Sequence, residues 1–270
     1  MKAAGLSSSA DVKQCCANLY ESDFAKLLLG ESFHPGGLKL TERLGCLLQL
    51  DSHSRVLDVA SGNGTSAFFL AGKFGCRVTG VDYGKHNVAT ANAAATERGV
   101  SSRVRFEQAD AEQLPFADGS FDAAICECAF CTFPDKAQAA REFARVLRPG
   151  GVVGISDLTR SGEYPRELDG LLGWIACIAD AQLTDEYVRC FRNAGLTPQT
   201  TEPHDNALID MVRQIQGKLL GMEIMAGLKK IDLLGLDLSA AKQMAGVALT
   251  AIRKGQLGYA IIVAERLRLA

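Results

Sequence analysis

Three aspartates stand where a chain of this pattern can grip a ligand. Asp58 sits in RVLDVA (55–60), Asp82 ends RVTGVD (77–82) and Asp110 ends VRFEQAD (104–110). An ionised carboxylate is a pure acceptor, so each can hold a donor-bearing group. Asp58 can meet a cationic amino group. Asp82 follows Gly64 by eighteen residues and can accept two ribose hydroxyls. Asp110 is followed by Ala111, a pair suited to an adenine amino group and ring nitrogen. Between the first two acids lies SGNGTSA (61–67). Gly62 and Gly64 let backbone approach a ligand, and the helix that follows offers free N–H groups. Thr65, Ser66 and Ala67 follow where a dinucleotide loop would place its third glycine. The loop alone can also read as a plain tight turn. Three acids at successive strand ends, where open α/β sheets bind ligands, give it a purpose.

The second chemical cluster is FDAAICECAFCTFPDK (121–136), with Cys126, Cys128 and Cys131 in an otherwise apolar run. Thiolates are soft ligands for a metal or metalloid. Small thiols are also common core residues, and Cys46, Cys76, Cys126 and Cys190 read that way. His34 and His204 are lone histidines that could serve as bases toward an organic substrate.

The elements that must carry these residues follow from periodicity. Short apolar runs at 55–60, 77–82, 104–110, 121–127 and 151–158 read as strands. They alternate with helical patterns at 65–74, 85–98 and 135–147. Such alternation means βαβ units and a mainly parallel sheet. Helices are expected upstream at 9–29 and 38–48, and downstream at 166–179 and 184–194, with Thr184 as an N-cap. LTPQTTEP (196–203) and LGYAIIVAERL (257–267) read as the last strands, separated by two or three helices in 205–254. The fold class expected is a Rossmann-like, seven-stranded, mostly parallel sheet with helices on both faces. N-terminal helices and a helical insertion before the last strand complete it. The core then comprises 50–204 and 255–270, with 1–49 covering the ligand site and 205–254 as a cap.

The bulk numbers agree with a globular, core-forming chain. Apolar residues make up 47% of the 270 residues, and the net charge is −2. No basic run favours nucleic acid, and no stretch suits a membrane span. Nine cysteines without an export signal suggest reduced thiols in a cytoplasmic protein.

The motif set resembles the class I S-adenosylmethionine-dependent methyltransferases over about residues 50–160. LDVASGNG matches their glycine loop with Ala60 in place of its first glycine, GVDYG the second motif, QADAEQLPFADGSFD the third, and ARVLRPGG the helix end before strand five. The resemblance implies S-adenosylmethionine as cofactor and a strand order 3-2-1-4-5-7-6 with the seventh strand antiparallel. It assigns Asp58 and Gly62 to the methionine end, Ala60 and Gly64 to the cofactor-binding loop and Asp82 to the ribose. Tyr83 packs on the adenine, Asp110 and Ala111 read its edge, and Tyr20 closes over the cofactor. Glu127 supplies electron-rich oxygens near the methyl group.

The acceptor side resembles the arsenite methyltransferases of that class. Cys128 lies six residues before Pro134, and Cys177 three after Trp174. The resemblance implies that Cys128 and Cys177 hold As(III), with Cys16, Cys131 or a thiol reductant such as glutathione supplying a third sulfur. Two alternatives stand beside it. One is a methyltransferase acting on an organic small molecule, with structural cysteines. The other is a cofactor-binding module that has lost catalysis.

Overall fold

The computed structural model describes residues 13–14, 34–161, 165–168, 178, 180–227 and 237–268. Residues 13–14 are helical. Then come α1 (Gly37–Leu47), β1 (Arg55–Val59), α2 (Thr65–Phe74), β2 (Arg77–Asp82), α3 (Lys85–Glu97), β3 (Val104–Gln108) and β4 (Phe121–Glu127). A 3-10 turn (Phe130–Thr132) leads into α4 (Lys136–Val146) and β5 (Leu147–Arg160). A second 3-10 turn (Arg166–Leu168), α5 (Thr184–Asn193), β6 (Leu196–Pro203), α6 (Asp205–Gly227), α7 (Leu238–Arg253) and β7 (Leu257–Arg266) complete the chain.

The strands form one sheet in the order β3-β2-β1-β4-β5-β7-β6. All neighbours are parallel except β7, which runs antiparallel to β5 and β6. The chain winds outward from β1 to β3, then returns to β4 and winds the other way. Right-handed crossovers then put the helices of the two halves on opposite faces. The register aligns the chemical residues at one edge: Asp82 pairs with Gln108, and Glu127 with Ser156. That edge is the carboxyl end of the parallel strands.

The strands form because their apolar runs are buried on both sides. Four of the five residues of β1 are buried, and five of the six of β2. Asp135 caps α4 by accepting from Gln138 N, and Asp237 caps α7 by accepting from Ala240 N. Thr184 is not a cap; Leu183 takes that position without a side-chain bond, and Thr184 is the first helical residue. β5 exceeds its expected span at both ends. Leu147 pairs with Phe121 across an irregularity, and Thr159 and Arg160 pair with β7.

Helix α6 departs from the carboxyl end of β6, and α7 returns to the start of antiparallel β7 at the same edge. Leu208, Val212, Ala245, Ala248 and Ile252 bury their side chains in the common core. The expected helix over 166–179 falls mostly outside the described residues. No helix among the described residues is long and apolar enough to cross a membrane.

At the opposite edge, Asp122 accepts from Arg55 N and Nε, and from Arg148 Nε. Burial opposes its ionisation, but these bonds outweigh burial and bring its pKa down to about 2. A depressed carboxylate stabilises the fold above its unfolded pKa and loses that contribution as pH falls toward its folded pKa. Asp122→Asn is therefore expected to cost roughly 1 kcal/mol at pH 7, allowing for screening of the half-exposed arginines. The cost should vanish between about pH 4 and pH 2. Denaturant titration of both proteins across that range measures it.

Candidate functional site

The turn after β1 is built from left-handed backbone. Ala60 (φ 58°), Gly62 (φ 53°) and Gly64 (φ 83°) all have positive φ. A left-handed alanine costs about 1–2 kcal/mol, so the turn is held by the surrounding structure rather than preferred locally. Gly64 has no substitute, because a Cβ there would meet Phe106 Cζ at 2.4 Å. A Cβ on Gly62 would meet nothing within 4 Å, so the loop faces open space at that point.

Asp82 holds the loop in this shape. Its Oδ2 accepts from Gly62 N at 2.8 Å, while Oδ1 accepts from Gly84 N at 2.8 Å and Asn87 Nδ2 at 3.3 Å. One buried carboxylate therefore ties the turns after β1 and β2 together, a role that strand-end position alone does not reveal. Ser61 N adds a bond to Val81 O at 2.9 Å.

Asp58 lies beneath the loop, 3% exposed, and its Oδ2 has no partner in the protein. Burial pushes its carboxyl well above the ordinary value, and the charges of Glu127 and Asp82 push it the same way. Ser61 Oγ is likewise buried and unpartnered. A buried carboxylate among other acids, with a free acceptor beside open backbone, is chemically matched to a cationic donor. The ammonium group of S-adenosylmethionine fits that requirement.

The next two strand tips widen the site. Tyr83 is half-buried beyond Asp82, and its carbonyl accepts from Gln108 Nε2. Asp110 lies past the end of β3, with Oδ1 accepting from Glu112 N and Oδ2 from Lys13 Nζ at 2.7 Å. Ala111 packs half-buried against the core. Nothing in the local sequence marks Lys13, which reaches this turn from ninety-seven positions away. Tyr20 lies outside the described residues.

Glu127, at the tip of β4, is the hub of a buried polar cluster. It accepts from Ser66 Oγ at 2.6 Å and from Thr41 Oγ1 at 3.1 Å, with Ser156 Oγ at 3.5 Å. His34 Nε2 is 3.6 Å from Glu127 Oε2 and 3.3 Å from Thr41 Oγ1, and His34 Nδ1 is 3.2 Å from Pro35 O. Tyr259 OH donates to Ser156 O at 2.9 Å. Glu127 thereby joins α1, α2, β4 and β5. The acid is legible in the sequence, but its hydrogen-bond partners, from α1, α2 and β5, are not.

The cysteines divide. Cys126 and Cys131 are fully buried, and burial pushes the Cys126 thiol far up. Cys131 N donates to the buried Asp157 at 2.9 Å. Its side chain is buried in the core cluster. Cys46 is exposed on α1, so it is not the core filler expected. Cys128 is half-buried and left-handed (φ 53°), with its N–H donating to Ser156 O at 2.7 Å. It turns the chain from β4 into the 3-10 segment, which is anchored by Phe130 against Phe143, Tyr187 and Phe191. Cys177 and Cys16 lie outside the described residues. Among the described residues no group of three or more Cys, His, Asp or Glu could hold a metal ion.

Comparison with known proteins bears on this arrangement. A model described as a methyltransferase domain matches residues 57–155. The chain is 34% identical to 27-O-demethylrifamycin SV methyltransferase of Amycolatopsis mediterranei, over 67% of this chain and 72% of that protein. In fold it is similar to the cyclase SpnF, with a TM-score of 0.78 and 23% identity, covering 99% of this chain and 100% of the other. It is also similar to geranyl diphosphate methyltransferase in complex with SAM, with a TM-score of 0.70 and 20% identity, over 91% and 95% of the two chains. The sheet order, the methyltransferase domain across its first five strands and the long match to a methyltransferase converge: the chain belongs to the class I S-adenosylmethionine-dependent methyltransferases.

Proposed function

We propose that this enzyme methylates a hydroxyl oxygen of an organic small molecule. The observation that carries the acceptor class is the long match to a relative named for an O-demethylated substrate. The arsenite reading gains no such support. Cys131 is core, and the other two proposed partners of Cys128 lie outside the described residues.

When bound, S-adenosylmethionine supplies an electrophilic methyl group. Asp58 Oδ2 receives the ammonium group, and Ala60, Gly62 and Gly64 shape the backbone against the methionine end. Asp82 meets a ribose hydroxyl and also bonds Gly62 N through Oδ2. Tyr83 covers the adenine, and Asp110 with Ala111 reads its edge. Glu127 adds negative charge beside the cationic end. Positioning of the two reactants provides most of the acceleration, on the order of 7–11 kcal/mol in well-oriented systems.

The hydroxyl proton needs an acceptor, and the geometry separates the two histidines. His204 follows β6, three strands from β4, roughly 14 Å from Glu127 by strand spacing. His34 stands beside Glu127 and is the base this reading selects. Helices α6 and α7 shield the acceptor from water at the carboxyl edge.

The test uses trideuteromethyl S-adenosylmethionine with polycyclic phenols, macrocyclic alcohols and their O-blocked ethers. Mass spectrometry is expected to find label only on free hydroxyls. Turnover should fall at least about tenfold in His34→Gln and much less in His204→Gln. Label on carbon or nitrogen of the blocked compounds would overturn the oxygen assignment.

A further inference from the structure

We propose that Lys13 is a positioning residue for adenine recognition, acting through Asp110. Its Nζ lies 2.7 Å from Asp110 Oδ2 and 2.5 Å from Glu112 Oε2, and its side chain is only 13% exposed. Two acids two residues apart at a strand tip repel each other, and a lone carboxylate there would rotate freely. Lys13 removes both problems. It compensates the pair and takes Oδ2, while Glu112 N takes Oδ1 at 2.9 Å. The carboxylate plane is thereby fixed from two directions. Glu112 is itself held, since its Oε1 accepts from Asp135 N at 2.7 Å and its carbonyl accepts from Gln138 Nε2 at 3.2 Å. The turn is thus fastened to the start of α4 on one side and to the N-terminal segment on the other.

The arrangement leaves Asp110 with unused lone pairs of defined direction, as required to accept from an amino group on a planar ring. A carboxylate free to swing would accept from many donors. One locked by an ammonium discriminates an amino group from a carbonyl at the same ring position. The inference rests on the assignment of Asp110 to adenine made above.

The experiment compares binding of S-adenosylhomocysteine and S-inosylhomocysteine, in which the ring amino group is a carbonyl. Calorimetry is run on the full chain, on Asp110→Asn, Lys13→Met and Lys13→Arg, with circular dichroism confirming that each folds. The native protein should prefer the adenosyl compound by more than tenfold. Asp110→Asn should lose most of that preference. Lys13→Met should lose at least threefold of it, and Lys13→Arg should restore it. Equal weakening of both compounds in Lys13→Met, with the preference intact, would overturn the role of Lys13 and leave Asp110 in place. An unchanged preference in Asp110→Asn would overturn the adenine assignment and the role of Lys13 with it.

Discussion

Asp82→Ala is expected to lower the unfolding free energy by about 2–4 kcal/mol and to weaken S-adenosylhomocysteine binding more than tenfold. Removing the carboxylate strands Gly62 N and Gly84 N, each formerly bonded at 2.8 Å, in a region where Asp82 itself is 8% exposed. An unsatisfied buried donor costs about 1–3 kcal/mol. The left-handed backbone at Ala60, Gly62 and Gly64 then loses the bond that holds it closed, so the loss of binding exceeds that of one ribose contact. Asp82→Asn keeps one carbonyl acceptor and should fall between the two. Urea titration and calorimetry read the two effects separately. A variant that kept native stability while losing affinity would show that Asp82 touches ligand only and does not organise the loops.

Asp58→Asn should act in the opposite sense on stability. Burial and the charges of Glu127 and Asp82 raise its carboxyl well above the ordinary value, so the folded protein holds that proton more tightly than the unfolded chain. Stability from such a group is fully present below its unfolded pKa, about 3.9, and is lost as pH rises through the folded value. The ligand-free native protein should therefore lose stability over that rise, and Asp58→Asn should not. At neutral pH the variant without ligand should be at least as stable as the parent. Its affinity for S-adenosylmethionine should nevertheless drop by about 1.5–3 kcal/mol, the worth of a bond to a charged group. In the parent a bound cation favours the ionised carboxylate, so affinity should rise with pH and binding should release a proton. Calorimetry in two buffers of different ionisation enthalpy measures that proton. Uptake instead of release would contradict the assignment.

The sheet and its order were legible because punctuation coincides with chemistry. The boundaries of β2 and β4 follow from apolar runs closed by Asp82 and Glu127. Where pairing rather than composition sets an end, the pattern was silent. Leu147 joins β5 because it lies opposite Phe121, and β3 stops at Gln108 because Asp110 turns back to bridge Gln113. The acids of the site were legible as strand ends, but their partners were not. Glu127 is satisfied by Thr41, Ser66 and Ser156, and Asp110 by Lys13, none of them near in sequence. The cysteines show the same limit of spacing. Cys126, Cys128 and Cys131 look like a cluster in sequence, yet the strand and the turn after it send Cys126 and Cys131 into the core and leave Cys128 half-buried.

On the proposed function, methyl transfer to oxygen does not depend on thiolates. A single-turnover assay tests it most directly, with enzyme in excess over labelled S-adenosylmethionine. A hydroxylated acceptor is offered in one arm and arsenite with glutathione in the other, for the native protein and for Cys128→Ser. S-adenosylhomocysteine should form with the hydroxylated acceptor in both proteins, within about threefold of each other, and should not form with arsenite. Methylated arsenic from the native protein, abolished in Cys128→Ser, would contradict the account.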